Sequence, residues 1–166
     1  MTPPRIPIDL DGYERRVRDG SCFICDLVAG VPGAEHEVVL DDGEHVAFLD
    51  RYPTLYGYTL VAPRAHVELI HRDLDLPAYL RLQQVVHRVA RALAAVVPCE
   101  RMYVLSLGSQ QGNSHVHWHV APLPPGTPYR QQQYHALMAE NGVIPWDRDR
   151  AAALGARLRA ALDGRP

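Results

Sequence analysis

The chain has 166 residues, of which 47% are hydrophobic, and this length and composition suit a single domain with one core. Seventeen basic residues against nineteen acidic ones give a net charge of −2, which argues against a broad nucleic-acid-binding or anionic-membrane-binding surface. No run approaches the roughly 20 apolar residues of a membrane span, and the N-terminal residues lack the apolar run of a signal peptide. Three cysteines are an odd number for a disulfide scaffold, so we expect a reducing, cytoplasmic location.

The first part of the chain predicts two short helical segments followed by three strands. Residues 13–18 form a candidate helix, and residues 22–30 are interpreted as a Cys-x-x-Cys knuckle with one helical turn, ended by glycine and proline. Two β-rich runs around a Gly-containing turn predict a hairpin over residues 37–49. A third strand is predicted at residues 58–62.

A long amphipathic helix follows. Asp75 is a good N-cap, and Pro77 suits the first turn. Apolar residues then recur three or four positions apart, at Tyr79, Leu82, Val86, Val89, Leu93 and Val96. The pattern predicts a helix of about twenty residues that ends near Pro98, with a strand after it at residues 102–107.

Three histidines occupy alternate positions in the next predicted strand, residues 115–121. Successive side chains of a strand point to opposite faces, so His115, His117 and His119 share one face while the apolar residues between them face the core. A polar loop precedes this strand, and proline is expected to end it at residue 121. Imidazole can act as an acid, a base, a nucleophile or a metal ligand near neutral pH, so the strand is the predicted centre of the chemistry.

The remaining residues predict a helix over 131–141, with Gly142 as its C-cap, and a last helix near 148–162. The order of elements in the main part of the chain is then β-β-β-α-β-β. This order indicates an α+β fold with a mainly antiparallel sheet.

The spacing of Cys22 and Cys25 fits two ligands of a zinc site, which needs two further ligands to be closed. A redox pair and two free thiols stay open as alternatives. A thioredoxin-like redox motif belongs to a βαβ unit, which this pattern does not provide.

The histidine segment, the stretch 47–66 with its Pro-Arg-Ala-His end, and the Cys-x-x-Cys start together resemble the histidine triad (HIT) family of nucleotide hydrolases and transferases. The resemblance implies a HIT-like fold, a mainly antiparallel five-stranded sheet with one long helix and a C-terminal helix. It divides the chain into an N-terminal extension (1–20), a HIT-like catalytic domain (21–122) and a C-terminal extension packed on the same domain (123–166).

The resemblance also implies cleavage at the α-phosphorus of a nucleotide, either a nucleoside phosphoramidate or a dinucleoside polyphosphate. His117 is in the position of a nucleophile that forms a nucleotidyl-histidine intermediate, and we expect His119 to donate to a phosphate oxygen. The loop before them would cradle phosphate, with Asn113 and Ser114 as the nearest candidates, followed by Gln111.

Two positions depart from the commoner family pattern. Gly112 stands where many members carry a Ser or Thr that assists the leaving group, and Ser114 or Asn113 are the candidate replacements. Tyr58 stands where a histidine is frequent, and we expect it to lie away from the histidine segment. His36, like the other histidines outside the motifs, is interpreted as a surface or helix-face residue.

The binding residues are likewise implied by the resemblance. Asp50 is in the position of the acid that accepts hydrogen bonds from ribose hydroxyls, which suits a carboxylate with two acceptor oxygens. Phe48 and Leu49 are candidates for the base pocket. The four implied ligands of a structural zinc ion are Cys22, Cys25, His66 and His115.

Family members pair through the long helix and an adjacent strand, so the resemblance predicts a homodimer. The expected ligand is a small nucleotide, with no nucleic acid and no membrane as partner. Two alternatives stay open. The changed position 112 suits a non-catalytic nucleotide-binding protein on the same fold. Three alternating histidines could instead hold one zinc ion that activates water, as in a zinc-dependent hydrolase.

Overall fold

A five-stranded antiparallel sheet forms the centre of the computed structural model, which describes residues 3–164. The outermost residues of the two predicted extensions, 1–2 and 165–166, lie outside the described part. The strands are β1 (Val38–Asp41), β2 (His45–Leu49), β3 (Thr59–Pro63), β4 (Arg101–Ser106) and β5 (Trp118–Leu123). They lie in the order β1-β2-β3-β5-β4, and every neighbouring pair is antiparallel, which confirms the predicted α+β class.

Six α-helices surround the sheet in the described part of the chain. They are α1 (Leu10–Asp19), α2 (Phe23–Ala29), α3 (Ile70–Asp73), α4 (Leu76–Val96), α5 (Tyr134–Leu137) and α6 (Arg148–Leu162). The prediction for the long helix is confirmed: the side chain of Asp75 accepts from the backbone N–H of Ala78 at 2.8 Å, and proline lies in the first turn.

The two faces of the sheet carry separate apolar clusters. One face packs against α4 and α6 and includes Leu82, Trp118 and Leu158. The other face packs against α2 and α5 and includes Ile24 and Phe48. None of the helices within residues 3–164 has both the length and the apolar character needed to span a bilayer.

The N-terminal helix is longer than predicted. It begins at Leu10 because Asp9 caps it, accepting from the backbone N–H of Gly12 at 2.9 Å, and it ends at Asp19 before an extended Gly20. The short prediction over residues 13–18 therefore identified only the middle of α1.

The continuous helix predicted over residues 131–141 is wrong. The structure has three single-turn segments there: Tyr129–Gln131, α5 and Ala139–Asn141. Gln133 has a φ of 56°, which no helix accommodates, and its N–H donates to the hydroxyl of Tyr103 at 2.8 Å. A bond to β4 thus breaks the helical pattern.

The ladder of the histidine strand begins later than predicted, at Trp118. The backbone N–H of Val116 donates to the carbonyl of Val67 at 2.7 Å instead of to a neighbouring strand. The alternation still holds, because Val116, Trp118 and Val120 all lie in the cluster under α4 and α6.

The prediction that proline ends this strand at residue 121 is also wrong, since β5 continues through Pro122 to Leu123. The pairing of β3 with β5 stops at Thr59 and Val120. Beyond that point β5 pairs only with β4, and a proline without an N–H is tolerated beside an unpaired edge.

Candidate active site

The three alternating histidines divide between two sites. His117 and His119 line a cavity of about 220 Å³, and their ring centroids are 4.8 Å apart. The ring of His115 instead lies 4.8 Å from that of His66, and its Nδ1 is 3.4 Å from the Sγ of Cys22. One histidine therefore belongs to a candidate metal site, and two belong to a candidate catalytic cavity.

His117 is held in the tautomer that a nucleophile needs. Its Nδ1 donates to the backbone carbonyl of His115 at 2.7 Å, so the lone pair is on Nε2. Burial lowers the pKa of His117 below its ordinary value, which keeps the ring neutral at pH 7. Phe23 of α2 packs edge-on against the ring, with centroids 6.0 Å apart. A neutral imidazole with a free Nε2 can attack an electrophile without prior deprotonation.

Tyr58 holds His119 in the opposite tautomer, with the proton on Nε2. The Tyr58 hydroxyl lies 3.1 Å from Nδ1 of His119, and burial raises the pKa of Tyr58, so this phenol stays protonated and can donate. Nε2 then carries the proton, and it is buried without a partner in the described part of the chain. Burial, and then the neighbouring His117, lower the pKa of His119 to about 3. The site thus presents one neutral N–H donor beside one free lone pair.

The contact with Tyr58 corrects the expectation that this residue lies away from the histidines. Leu60 of β3 is directly opposite His119 of β5 in the antiparallel register. Tyr58 is two residues before Leu60, so it shares that face and reaches His119 diagonally.

Two of the predicted nucleotide-binding residues line the cavity with the histidines. Asp50 follows β2, and one of its carboxylate oxygens accepts from the backbone N–H of Tyr52 at 2.9 Å. Burial raises the pKa of Asp50. Asn113 lies on the loop before the histidines, in a left-handed conformation with a φ of 55°.

The other predicted residues lie outside the cavity wall. Phe48 is fully buried behind it, and Leu49 lines a smaller neighbouring cavity. The hydroxyl of Ser114 donates to Glu68 at 2.8 Å. The side chain of Gln111 accepts from Arg18 at 3.2 Å. These last two side chains are thus already engaged by the protein.

The sequence did not identify several of the residues that line the cavity. The interpretation of His36 as a surface residue is wrong: it lines the cavity, packs against Phe48 at 5.0 Å between ring centroids, and has its pKa lowered by burial. Arg51 and Tyr52, next to Asp50, could have been found because they adjoin a candidate ligand. No motif marks the α1 residues, which reach the site only through packing. They are Tyr13, Arg16 and Val17.

The second site is a cluster of four possible metal ligands. One donor atom from each of Cys22, Cys25, His66 and His115 lies within 4.8 Å of all the others. Nδ1 of His115 is 3.4 Å from Cys22 Sγ and 3.6 Å from Cys25 Sγ, and Nδ1 of His66 is 3.3 Å from Cys25 Sγ. Ligand atoms of a tetrahedral zinc ion with bonds of about 2.0–2.3 Å are about 3.3–3.8 Å apart, so the donor set and its spacing fit zinc.

Hydrogen bonds behind the cluster orient its histidines. Nε2 of His115 donates to the carbonyl of Pro63 at 2.8 Å, and Nε2 of His66 donates to Glu68 at 3.1 Å, which leaves both Nδ1 lone pairs facing the thiols. Burial and the neighbouring cysteine raise the pKa of Cys25 to about 11. A bound cation would be needed to hold this sulfur as a thiolate at neutral pH.

The structure does not bring the three triad rings to one metal position. Within residues 3–164, the cluster with the cysteines is the one group of three or more possible ligands, and it includes neither His117 nor His119. The alternative of a triad-bound catalytic zinc therefore lacks support from this geometry.

Comparisons with known proteins agree with this architecture. A family model described as the HIT domain matches residues 32–125. An uncharacterized HIT-like protein of Mycobacterium tuberculosis is 30% identical over 145 residues, which is 85% of this chain and 92% of that protein. The adenosine 5′-monophosphoramidase of Schizosaccharomyces pombe is 30% identical over 108 residues, which is 63% of this chain and 75% of that enzyme.

A solved structure resembles most of the chain as well. A zinc-bound histidine triad family protein from Mycobacterium smegmatis superposes with a TM-score of 0.65 at 26% identity, over 87% of this chain and 94% of that one. The family model spans more than half of the residues, and the fold and the histidine motif coincide with it. The chain belongs to the HIT family, as its motifs predicted.

Proposed function

We propose that the chain is a nucleotide hydrolase or nucleotidyl transferase that acts at the α-phosphate through a covalent intermediate on His117. The observation that carries this proposal is the bond from Nδ1 of His117 to a backbone carbonyl, which leaves Nε2 free at the wall of a cavity. The phosphoramidase among the relatives supports adenosine nucleotides as the first substrates to test.

In the proposed reaction, Nε2 of His117 attacks the α-phosphorus. The new P–N bond forms as the bond to the leaving group breaks with its electron pair, and water later hydrolyses the nucleotidyl-histidine. The Nε2–H of His119 donates to a non-bridging oxygen, where negative charge develops. We assign the ribose hydroxyls to Asp50 and a phosphate oxygen to the second N–H of the Asn113 amide, the one that does not bond to Tyr13.

The expected residues outside the cavity wall act indirectly in this proposal. Phe48 supports the base pocket from behind His36, and Leu49 lines the smaller cavity next to it. Ser114 and Gln111 hold the loop through Glu68 and α1.

A trapping experiment tests the nucleophile. Adenosine 5′-phosphoramidate labelled at phosphorus, mixed with the protein and quenched in denaturant, should leave its label on His117. His117→Ala should abolish labelling and lower turnover by about a thousandfold or more, because the covalent path is lost. His87→Ala, at an exposed position on α4, is the control and should change neither quantity.

Two outcomes would contradict this proposal. Label on another residue, or full turnover by His117→Ala, would show that His117 is not the nucleophile. Nucleotide binding by the folded wild-type protein, with neither labelling nor turnover, would instead indicate the non-catalytic alternative.

We further propose a structural zinc ion bound by the cluster of Cys22, Cys25, His66 and His115. Such an ion would cross-link α2 to the segment that leads into β5, and it would supply no chemistry to the reaction.

Metal analysis tests this assignment. Wild-type protein should carry one zinc per chain, and the double variant Cys22→Ala/Cys25→Ala should carry none and melt at lower temperature. Cys99→Ala, which lies outside the cluster, should keep its zinc. Zinc retained by the double variant would mean that the histidines alone hold it.

We also propose a homodimer in the cytoplasm. The edge strand β4 leaves Val104 45% exposed, and Leu107 just beyond it is 58% exposed, which suits a second copy of the chain. The three described cysteines are unpaired, which suits a reducing compartment.

A further inference from the structure

Helix α1 covers the loop that carries the changed position 112. A Cβ added to Gly112 would lie 2.4 Å from Cγ1 of Val17, closer than any real contact, so the helix leaves room only for glycine. The next residue is bound too, since the amide of Asn113 donates to the Tyr13 hydroxyl at 3.1 Å. Helix α1 therefore occupies the place where a hydroxyl side chain at position 112 would stand.

Arg16 is the cation that α1 presents to the cavity. Its exposed side chain lines the same cavity as His117 and His119, and no salt bridge or side-chain hydrogen bond engages it in the described part of the chain. Arg18, two residues further along α1, is already paired with Glu14 at 2.7 Å. A free guanidinium at a cavity wall suits an anionic group of a ligand.

The leaving group decides what the site must supply opposite His117. An amine must take up a proton as its bond to phosphorus breaks, and the site is poorly equipped to give one. Gly112 lacks a hydroxyl, and His119 is a neutral ring whose pKa lies at about 3. A phosphate departs as an anion and needs no proton, only neutralisation of its charge.

We propose that α1 supplies a leaving-group subsite in which Arg16 binds the phosphate next to the α-phosphate, so that nucleoside polyphosphates are cleaved in preference to phosphoramidates. This inference rests on the proposed function. As the bond from Nε2 of His117 to the α-phosphorus forms, the bond from that phosphorus to the bridging oxygen breaks. The electron pair leaves with that oxygen, and Arg16 neutralises the charge.

Comparing two substrates with different leaving groups distinguishes the contribution of this subsite from that of the rest of the site. Diadenosine triphosphate loses ADP, whereas adenosine 5′-phosphoramidate loses ammonia. We expect the wild type to favour the former, and Arg16→Gln to lower kcat/KM for it at least about tenfold, with less than about threefold change on the phosphoramidate. Arg15→Gln is the matched control: Arg15 lies on the outer surface of α1 beside Asp11 and Glu14, and its loss should change neither value.

The results distinguish the subsite from the proposed function. Equal losses on both substrates, no loss in Arg16→Gln, or a wild-type preference for the phosphoramidate would each overturn the subsite while His117 remains the nucleophile. Absence of label on His117 with both substrates would overturn the proposed function and the subsite together.

Discussion

At the scale of single residues, two hydrogen bonds decide the roles of two chemically identical side chains. A carbonyl can only accept, so it fixes the proton of His117 on Nδ1. A protonated phenol donates to His119 and fixes the proton on the far nitrogen. The outcome is a free ring nitrogen and a hydrogen-bond donor side by side, 4.8 Å apart between ring centroids.

Burial of these rings predicts how the proposed reaction depends on pH. In that reaction, attack requires neutral His117, whose pKa is lowered from its ordinary value of 6.5. We expect the acidic midpoint of kcat/KM to lie below pH 6.5, because the buried ring takes up a proton at lower pH than an ordinary histidine. A pH–rate profile checks this, and an acidic midpoint at or above 6.5 would contradict it.

We expect Tyr58 to affect kcat by fixing the tautomer of His119, and not to contribute to substrate binding. Tyr58→Phe removes only the hydroxyl that bonds to Nδ1. We expect kcat to fall about tenfold with KM little changed, because the donor to the phosphate loses its fixed tautomer. Steady-state kinetics would show this, with Tyr56→Phe as the control. A loss confined to KM would mean that Tyr58 acts on the substrate directly.

At the scale of elements, the N-terminal helix is part of the site even though it precedes the domain that the resemblance outlines. Val17 packs on Gly112, and Tyr13 packs edge-on against Tyr52 with ring centroids 5.6 Å apart. Helix α1 thereby joins the loop before His115 to the segment after Asp50. The division into an extension (1–20) and a domain (21–122) stays a prediction, and these contacts cross its boundary.

The contact between α1 and the loop that contains Gly112 should affect the free energy of unfolding. The Cβ of Gly112→Ala would overlap Val17, so we expect about 1–3 kcal/mol less free energy of unfolding. Combining it with Val17→Ala should recover part of that loss, because Cγ1 is then absent. Urea unfolding of both single variants and the double variant measures the coupling. Additive effects would show that the two residues do not meet.

At the scale of the whole molecule, the sheet has the apolar cluster under α4 and α6 on one face and the candidate site on the other. The face under α4 and α6 is filled by apolar side chains. The opposite face carries the cavity and, through α2, the candidate metal site. An unpaired edge at β4 with exposed Val104 leaves one side of this molecule open to another copy.

A charge at that edge should separate the proposed dimer. We expect wild-type protein to sediment at twice the chain mass of 18.5 kDa and Val104→Lys to sediment as a folded monomer, since a buried lysine opposes association. Arg101→Lys, at the exposed start of β4, retains charge and is the control. A monomeric wild-type protein at micromolar concentration would contradict the dimer.

Local sequence patterns were sufficient to predict several elements of this molecule. Helix α4 was predictable because Asp75, Pro77 and the apolar spacing all act within one element. The family resemblance singled out Cys22, Cys25, His66 and His115 as a possible ligand set, and the structure places one donor atom of each within 4.8 Å of the others. Their roles, and that of His117, stay predictions. The helix over 131–141 failed because a long-range bond from Gln133 to Tyr103 outweighed local preference.

The sequence alone determined the α+β class, the family and the two groups of reactive side chains, because strand alternation and short motifs are local properties of the chain. Only the tertiary structure decided that Tyr58 holds His119, that His36 and Arg16 line the cavity, and that Ser114 is occupied by Glu68. These contacts join residues from about 45 to 100 positions apart, and such distances are closed by packing of the sheet and α1, which no local pattern encodes.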